Sequence, residues 1–266
     1  MPATRHYLSL KFGQLHFRCL GEPSKPALIL LHQTPSASSM YEAMMPRLAE
    51  NFYVLAPDTP GFGQSEGFDA PASIVQLGEV IAEFIEHLCL GPCFLFGHHT
   101  GAAIAAYIAA FHSEKVRALS MSGPPLLSAS QRKTLPNLAA PFEAREDGSH
   151  LHSLWVRMRG KDPEASLELS LREMTLALDS GDAYQDSYRA VVAFDMEGAL
   201  KSICCATQIF AAQEDTLKAA LEPTLALLQQ GEMAELNVKA GTYVCDRYPQ
   251  QVADLLMTFF GKHYGS

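Results

Sequence analysis

The sequence predicts an α/β fold in which a doubly wound, mostly parallel sheet carries helices on both faces. Short continuous apolar runs, such as residues 27–31 and 116–122, have the composition of strands that are buried on both faces. These runs alternate with segments of helical spacing through short connections, which is the order that parallel sheets require. With 266 residues, of which 48% are hydrophobic, the chain can bury the core of one large domain.

The elements before residue 92 follow from local patterns. Two segments alternate apolar and polar residues around Gly13, which is typical of an antiparallel hairpin at a sheet edge. Two buried strands come next, each followed by a segment of helical spacing, and the second of these helices ends at Gly91-Pro92. In chain order, these elements are a hairpin at 6–12 and 14–20, a strand at 27–31, a helix at 39–49, a strand at 52–56 and a helix at 73–90.

The elements after residue 92 continue the alternation, with one interruption. Between residues 124 and 202 the strand patterns disappear and helical periodicity takes over, so this segment predicts a helical insertion. Strand patterns resume directly after it. In chain order, these elements are a strand at 93–96, a helix to about 112, a strand at 116–122, the insertion, a strand at 203–212, a helix at 217–230, a strand at 235–238 and a helix to about 260.

The stretch Gly97-His98-His99-Thr100-Gly101 joins a buried strand to an Ala-rich helix, so the chain must turn sharply there. A glycine stands on each side of the turn because a Cβ at either place would collide with the neighbouring backbone. This is the pattern of a nucleophile elbow, which presents the side chain at its centre to an active site. Here that side chain is His99.

The elbow and five other motifs, in the same order along the chain, resemble the α/β-hydrolase fold superfamily. This resemblance implies an eight-stranded, mostly parallel sheet. It also implies a core formed by residues 1–123 and 203–266, with residues 124–202 as a helical cap over the active site. The motifs are His32-Gln33-Thr34-Pro35, Pro60-Gly61-Phe62-Gly63, the elbow, the helical insertion, Ala212-Gln213-Glu214-Asp215, and the loop from Gly241 to Pro249.

The chain departs from this superfamily at two catalytic positions. The resemblance implies Ser, Asp or Cys at the elbow, where this chain has His99, and histidine in the last loop, where it has Thr242. Asp215 stands at the position of the catalytic acid. Because the elbow lacks a hydroxyl, the resemblance to Ser-His-acid enzymes does not extend to an acyl-enzyme. We hypothesise a relay that runs from His99 through the Thr242 hydroxyl, or an ordered water, to Asp215.

A histidine base beside an oxyanion hole suits two kinds of reaction. By position, the backbone N–H groups of Thr34 and Thr100 would form that hole. His99 could activate a water that attacks a small ester, lactone or activated carbonyl, and the frequency of hydrolysis in the superfamily favours this reaction. It could instead remove a proton next to a carbonyl, as a lyase or isomerase does. Neither reaction needs a cofactor. A protein of the same fold that binds a small ligand without reacting is the third alternative.

Six residues are candidates for the substrate pocket, and each has a structural alternative. His32 could hold its loop together, and His98 could pack against the sheet. The residues of the insertion could belong to a solvated loop that begins a helix, with the only tryptophan packing the cap on the core. The candidates are His32, His98, Phe142, His150, Leu151 and Trp155.

Composition and charge exclude several kinds of partner. A net charge of -9 without runs of like charge argues against nucleic acid and anionic membranes, which leaves a small molecule as the expected partner. There is no leader-like or bilayer-length apolar segment, so we expect a soluble, cytoplasmic protein. The six cysteines lack a zinc-binding spacing, so we expect buried thiols and no metal. A homodimer is compatible with the sequence, which does not determine the oligomeric state.

Overall fold

The computed structural model describes residues 2–138 and 143–264, and it confirms the predicted sheet. Its strands form one eight-stranded sheet in the order β1-β2-β4-β3-β5-β6-β7-β8. β1 and β2 form the antiparallel hairpin, β2 is antiparallel to β4, and every other pair is parallel. The strands are β1 (Thr4–Leu10), β2 (Gly13–Leu20), β3 (Ala27–Leu31), β4 (Tyr53–Pro57), β5 (Cys93–His98), β6 (Val116–Ser122), β7 (Ala206–Phe210) and β8 (Gly231–Met233).

Helices cover both faces of the sheet. The second helix begins with a capping box, in which Ser73 and Gln76 each bond the backbone of the other. No helix of the described ranges has the length and apolar character needed to cross a membrane. The helices are α1 (Met45–Leu48), α2 (Ile74–His87), α3 (Thr100–Phe111), α4 (Ala129–Leu138), α5 (Ser149–Lys161), α6 (Leu167–Asp179), α7 (Ala183–Ala193), α8 (Met196–Ser202), α9 (Leu221–Leu225), α10 (Val244–Arg247) and α11 (Pro249–Gly261).

The sheet separates two large hydrophobic clusters. Alternate residues of β3 belong to different clusters: Ile29 and Leu31 pack with α2 and α3, whereas Leu28 and Leu30 pack with α1 and α11. All five residues of this strand are buried. The strand is therefore apolar at every position, and it places the loop that follows it beside the elbow.

Two of the predicted elements near the C-terminal end differ from the structure. The helix expected at 217–230 is a short 3-10 turn followed by the five residues of α9, which contain Pro223. The last strand is β8 rather than residues 235–238. Polar and apolar residues alternate at 235–238 because Leu236 and Val238 are buried against the α11 side of the core, and not because the segment is a strand. The carbonyl oxygen of Val238 accepts a hydrogen bond from Gln213 N, which supports the loop that carries Asp215.

The segment between β6 and β7 contains α4 to α8, and no strand lies in its described part. The C-terminal end of α5 packs on the last loop, where Gly241 N donates to the Asp162 carboxylate. Farther along, Val191 of α7 and Leu200 of α8 belong to the cluster that includes α3. The division of the chain into a core and a cap at residues 124–202 stays a prediction.

Candidate active site

The structure places His99 at a strained turn between β5 and α3. Its backbone has φ 50° and ψ -109°, a conformation that few side chains adopt. A Cβ on Gly97 would lie 2.3 Å from the carbonyl oxygen of Gly101, and a Cβ on Gly101 would lie 2.0 Å from that of Leu31. Both glycines are therefore required by close backbone packing, as the sequence predicts.

The imidazole of His99 contacts the carboxylate of Asp215 directly. Nε2 of His99 lies 2.9 Å from Oδ2 of Asp215, and Oδ1 accepts a hydrogen bond of 2.8 Å from Leu217 N. Burial would raise the pKa of Asp215, but the charge and hydrogen bond of His99 outweigh it, and the pKa is lowered. When His99 is neutral, Nε2–H donates to this carboxylate and Nδ1 carries the lone pair.

The direct contact corrects the hypothesised relay, because neither Thr242 nor a water bridges the pair. The ring of His99 reaches Asp215 over Gly123, the residue that follows β6. A Cβ on Gly123 would lie 2.5 Å from Cδ2 and 2.6 Å from Nε2 of His99. Because Gly123 has no side chain, the ring of His99 has room to reach Asp215 directly.

Thr242 and His98 belong to the support of the site. Nε2 of His98 lies 2.8 Å from the carbonyl oxygen of Thr242. Burial, reinforced by the charge of His99, lowers the pKa of His98 to about 3, so its ring is neutral and donates Nε2–H to that carbonyl. Thr242 N in turn donates to the carbonyl oxygen of Lys161. His98 therefore holds the last loop in place and does not line the cavity.

A cavity of about 570 Å³ opens above His99. Both predicted oxyanion donors, Thr34 and Thr100, line it, and neither of their N–H groups donates to another described residue. Its other walls come from the segment after β6, from α4, α5 and α7, and from the loops around Thr216 and Thr242. The described lining residues include two cations and no carboxylate. Besides those already named, they are Pro125, Leu127, Gln131, Thr134, Leu135, Asn137, Leu138, Arg157, Gly160, Lys161, Tyr184, Tyr188, Val191 and Leu217.

His32, predicted for the pocket, lies inside its own loop instead. Its Nδ1 lies 2.8 Å from the carbonyl oxygen of Gln33, and its Nε2 accepts a hydrogen bond of 2.9 Å from Thr59 N. Burial lowers the pKa of His32, against the charge of Asp58. The ring is therefore a neutral bridge between the loops that follow β3 and β4, and this is the structural alternative considered for it.

The candidates from the insertion do not line the described cavity, and Phe142 lies outside the described residues. Helix α5 faces the cavity through its last turns, including Arg157. Trp155 is two residues away, about 200° around the helix, and so points elsewhere. Nδ1 of His150 accepts a hydrogen bond from Arg145 N, about two turns before Arg157. Leu151 is 39% exposed.

The comparisons with known proteins agree with this architecture. A protein-family model for the alpha/beta hydrolase fold matches residues 26–191. A haloalkane dehalogenase of Mycobacterium marinum is 33% identical over 126 residues, which are 44% of this chain and 42% of that protein. A soluble epoxide hydrolase of Corynebacterium sp. is 32% identical over 110 residues, or 40% of this chain and 36% of that protein. The chain therefore matches less than half the length of these relatives.

Solved structures match nearly the whole chain. A hydrolase from Pseudomonas aeruginosa has a TM-score of 0.81 at 22% identity and covers 97% of this chain and 98% of its own. The enol-lactonase from Burkholderia xenovorans has a TM-score of 0.80 at 16% identity, with coverage of 96% and 100%. At these identities the likeness shows the fold alone.

Proposed function

This chain belongs to the α/β-hydrolase fold family, and we propose that it is a cofactor-independent hydrolase of small esters, lactones or activated carbonyl compounds with His99 as general base. The observation that carries the proposal is the 2.9 Å contact between His99 Nε2 and Asp215 Oδ2. Asp215 accepts the hydrogen bond from Nε2–H and so holds one tautomer of the ring, as carboxylates do for histidines in other sites. Nδ1 is then the nitrogen that can take a proton from a water in the cavity.

The proposed reaction uses one water and leaves no covalent intermediate. Nδ1 of His99 takes a proton from the water as its oxygen attacks the carbonyl carbon. The N–H groups of Thr34 and Thr100 donate to the oxyanion that forms. The proton then passes from Nδ1 to the leaving oxygen while the carbon–oxygen bond breaks. The products are an acid and an alcohol, joined in one molecule when the substrate is a lactone.

The names of similar proteins support hydrolysis over proton abstraction next to a carbonyl. A haloalkane dehalogenase and a soluble epoxide hydrolase, both named for hydrolytic reactions, are among them. The elbow position argues against an acyl-enzyme at this site, because an imidazole stands where a hydroxyl would be. The water is therefore assigned as the nucleophile.

The test is a panel of p-nitrophenyl esters and lactones with four proteins: the wild type, His99→Gln, Asp215→Asn and the control His87→Gln, a histidine at the end of α2. We expect the first two substitutions to lower kcat by about 10²- to 10⁴-fold, because each removes part of the base. The control should retain activity. We also expect no label from a fluorophosphonate, which reacts with activated serines.

Two outcomes would contradict the proposal. Fluorophosphonate labelling that removes the activity would mean that a hydroxyl nucleophile acts elsewhere in the cavity. If the wild type hydrolyses nothing in the panel, deuterium exchange next to the carbonyl of test ketones, dependent on His99, would favour the lyase or isomerase. Ligand binding without exchange would favour the binding protein.

A further inference from the structure

The cavity above His99 is positively charged, although the protein carries a net charge of -9. Arg157 and Lys161 both line it. They are four residues apart on α5, so they lie on one face of the helix, about 6 Å apart along its axis. No aspartate or glutamate is among the described lining residues, and the Asp215 side chain is completely buried beside His99. The charge of the cavity is thus a local property of α5.

The ammonium group of Lys161 has only neutral partners in the described part of the chain. Nζ donates to the carbonyl oxygen of Thr34 at 3.3 Å and to the hydroxyl of Tyr188 at 3.2 Å. It also lies 5.6 Å from the ring centre of Tyr184 and 5.9 Å from that of Tyr188. Burial raises the pKa of Tyr188 to about 12, so its hydroxyl is neutral. A lysine ammonium has three N–H donors, and a bound anion can take the third.

The position of Nζ relates this charge to the proposed chemistry. Thr34, whose carbonyl oxygen accepts from Nζ, is also the residue whose N–H is proposed for the oxyanion hole. A group bound at Lys161 would therefore lie a few atoms from the carbonyl carbon under attack. Arg157, one turn earlier, has the planar donor geometry that matches a carboxylate.

We propose that Arg157 and Lys161 form a subsite for a carboxylate of the substrate. The substrate class is then an ester or lactone that carries a free carboxylate near the bond to be cleaved. This inference rests on the proposed function for its reaction, but not for its binding step. Charge-assisted hydrogen bonds that are sheltered from bulk water supply the affinity, and the cationic wall favours anionic over neutral substrates.

The experiment compares two substrates that differ in one charge: mono-4-nitrophenyl glutarate and its methyl ester. For the wild type we expect a kcat/KM about 10- to 100-fold higher for the anion. In Lys161→Met this ratio should fall toward one, and Lys161→Arg should restore part of it. The control is Lys201→Met, which removes an exposed lysine paired with Glu197 on α8 and should keep the wild-type ratio.

A binding measurement separates the subsite from the reaction. By isothermal titration, glutarate should bind the wild type and His99→Gln alike, whereas Lys161→Met should bind it at least tenfold more weakly. If glutarate binds in this way but no ester is hydrolysed, the subsite stands and the proposed hydrolase fails. An equal preference for both esters in the wild type would overturn the subsite. So would a Lys161→Met variant that slows both esters equally, because the lysine would then act on the oxyanion.

Discussion

The described residues form two histidine–aspartate pairs at similar distances and in different surroundings. Nδ1 of His16 lies 2.7 Å from Asp58, and Nε2 of His99 lies 2.9 Å from Asp215. The His16 side chain is 1% exposed, whereas that of His99 is 15% exposed and borders the cavity. The hydrogen bond alone therefore does not distinguish an active site from a support.

The two pairs differ in what surrounds them. Asp58 also accepts hydrogen bonds from Ser38 N and Gln64 N, so it joins β2, the loop after β4 and the turn that follows β3. The second ring nitrogen of His16 is buried without a partner in the described structure, out of reach of any substrate. His99 instead lines the cavity, and only its Nε2 is used by Asp215. We infer that the first pair stabilises the fold and that the second carries the chemistry.

The strongest test of this contrast substitutes the glycine beside each pair. Gly123 and Gly63 have nearly equal positive φ values, 57° and 58°, and a Cβ on either would lie within 2.6 Å of its pair. The backbone penalty for alanine is therefore matched, at about 1 to 2 kcal/mol. We expect Gly123→Ala to lower kcat/KM about 100-fold or more by displacing His99. Gly63→Ala should mainly lower the free energy of unfolding, by displacing Asp58.

The measurements are ester turnover per folded molecule and urea unfolding of both variants. The contrast fails if the two variants lose turnover equally. It also fails if the total turnover of Gly123→Ala recovers at low temperature in proportion to its folded fraction, because the lost activity would then reflect unfolding alone.

Acid unfolding tests the structural pair with a smaller effect. Burial would raise the pKa of Asp58, but the His16 hydrogen bond and the other donors lower it to about 2. Its unfolded pKa is higher, so the pair stabilises the protein above about pH 4, and that stabilisation is lost as the pH falls toward 2. Asp58→Asn should be less stable at pH 7 by about 2 kcal/mol, and the difference should shrink in acid.

Urea unfolding of the wild type and Asp58→Asn from pH 7 to pH 2 measures this difference. A pH-independent gap would mean that Asp58 acts through shape and hydrogen bonds alone. Asp215→Asn is the matched comparison, because the pKa of that buried carboxyl is also lowered. At pH 7, Asp58→Asn should keep most of its turnover per folded molecule, whereas Asp215→Asn should not.

The sequence was sufficient for the fold, although not for α9 and β8, because most elements are specified locally. Neighbouring residues in the sequence specify each of three such features: the apolar strand β3, the capping box of α2 and the glycines of the elbow. It was also sufficient to predict that His99 and Asp215 lie close together, since the order of motifs placed both at one edge of the sheet. The sequence did not reveal that the two side chains are close enough for direct contact. This contact is possible because Gly123 has no side chain.

The residues that line the cavity were harder to predict from the sequence. Which face of α5 points inward is set by its packing against α6 and the last loop, so Trp155 was a reasonable candidate that points elsewhere. The four-residue spacing of Arg157 and Lys161 was visible, but such a pair usually marks a solvated helix face. The Arg157–Lys161 pair differs from such a face because no carboxylate is among the described residues that line the cavity.

The smallest predicted effect concerns Thr242, the residue that occupies the position of the superfamily histidine. Both pairs in this molecule are direct, so the Thr242 hydroxyl should have no proton to relay, and it lines the cavity only as one wall. Thr242→Val keeps the shape of the side chain and the carbonyl that accepts from His98, and it removes the hydroxyl alone. We therefore expect kcat to stay within about threefold of the wild type, measured beside His99→Gln in the same ester assay. A loss as large as that of His99→Gln would mean that the hydroxyl enters the reaction, and the second pair would then need a third member that the first does without.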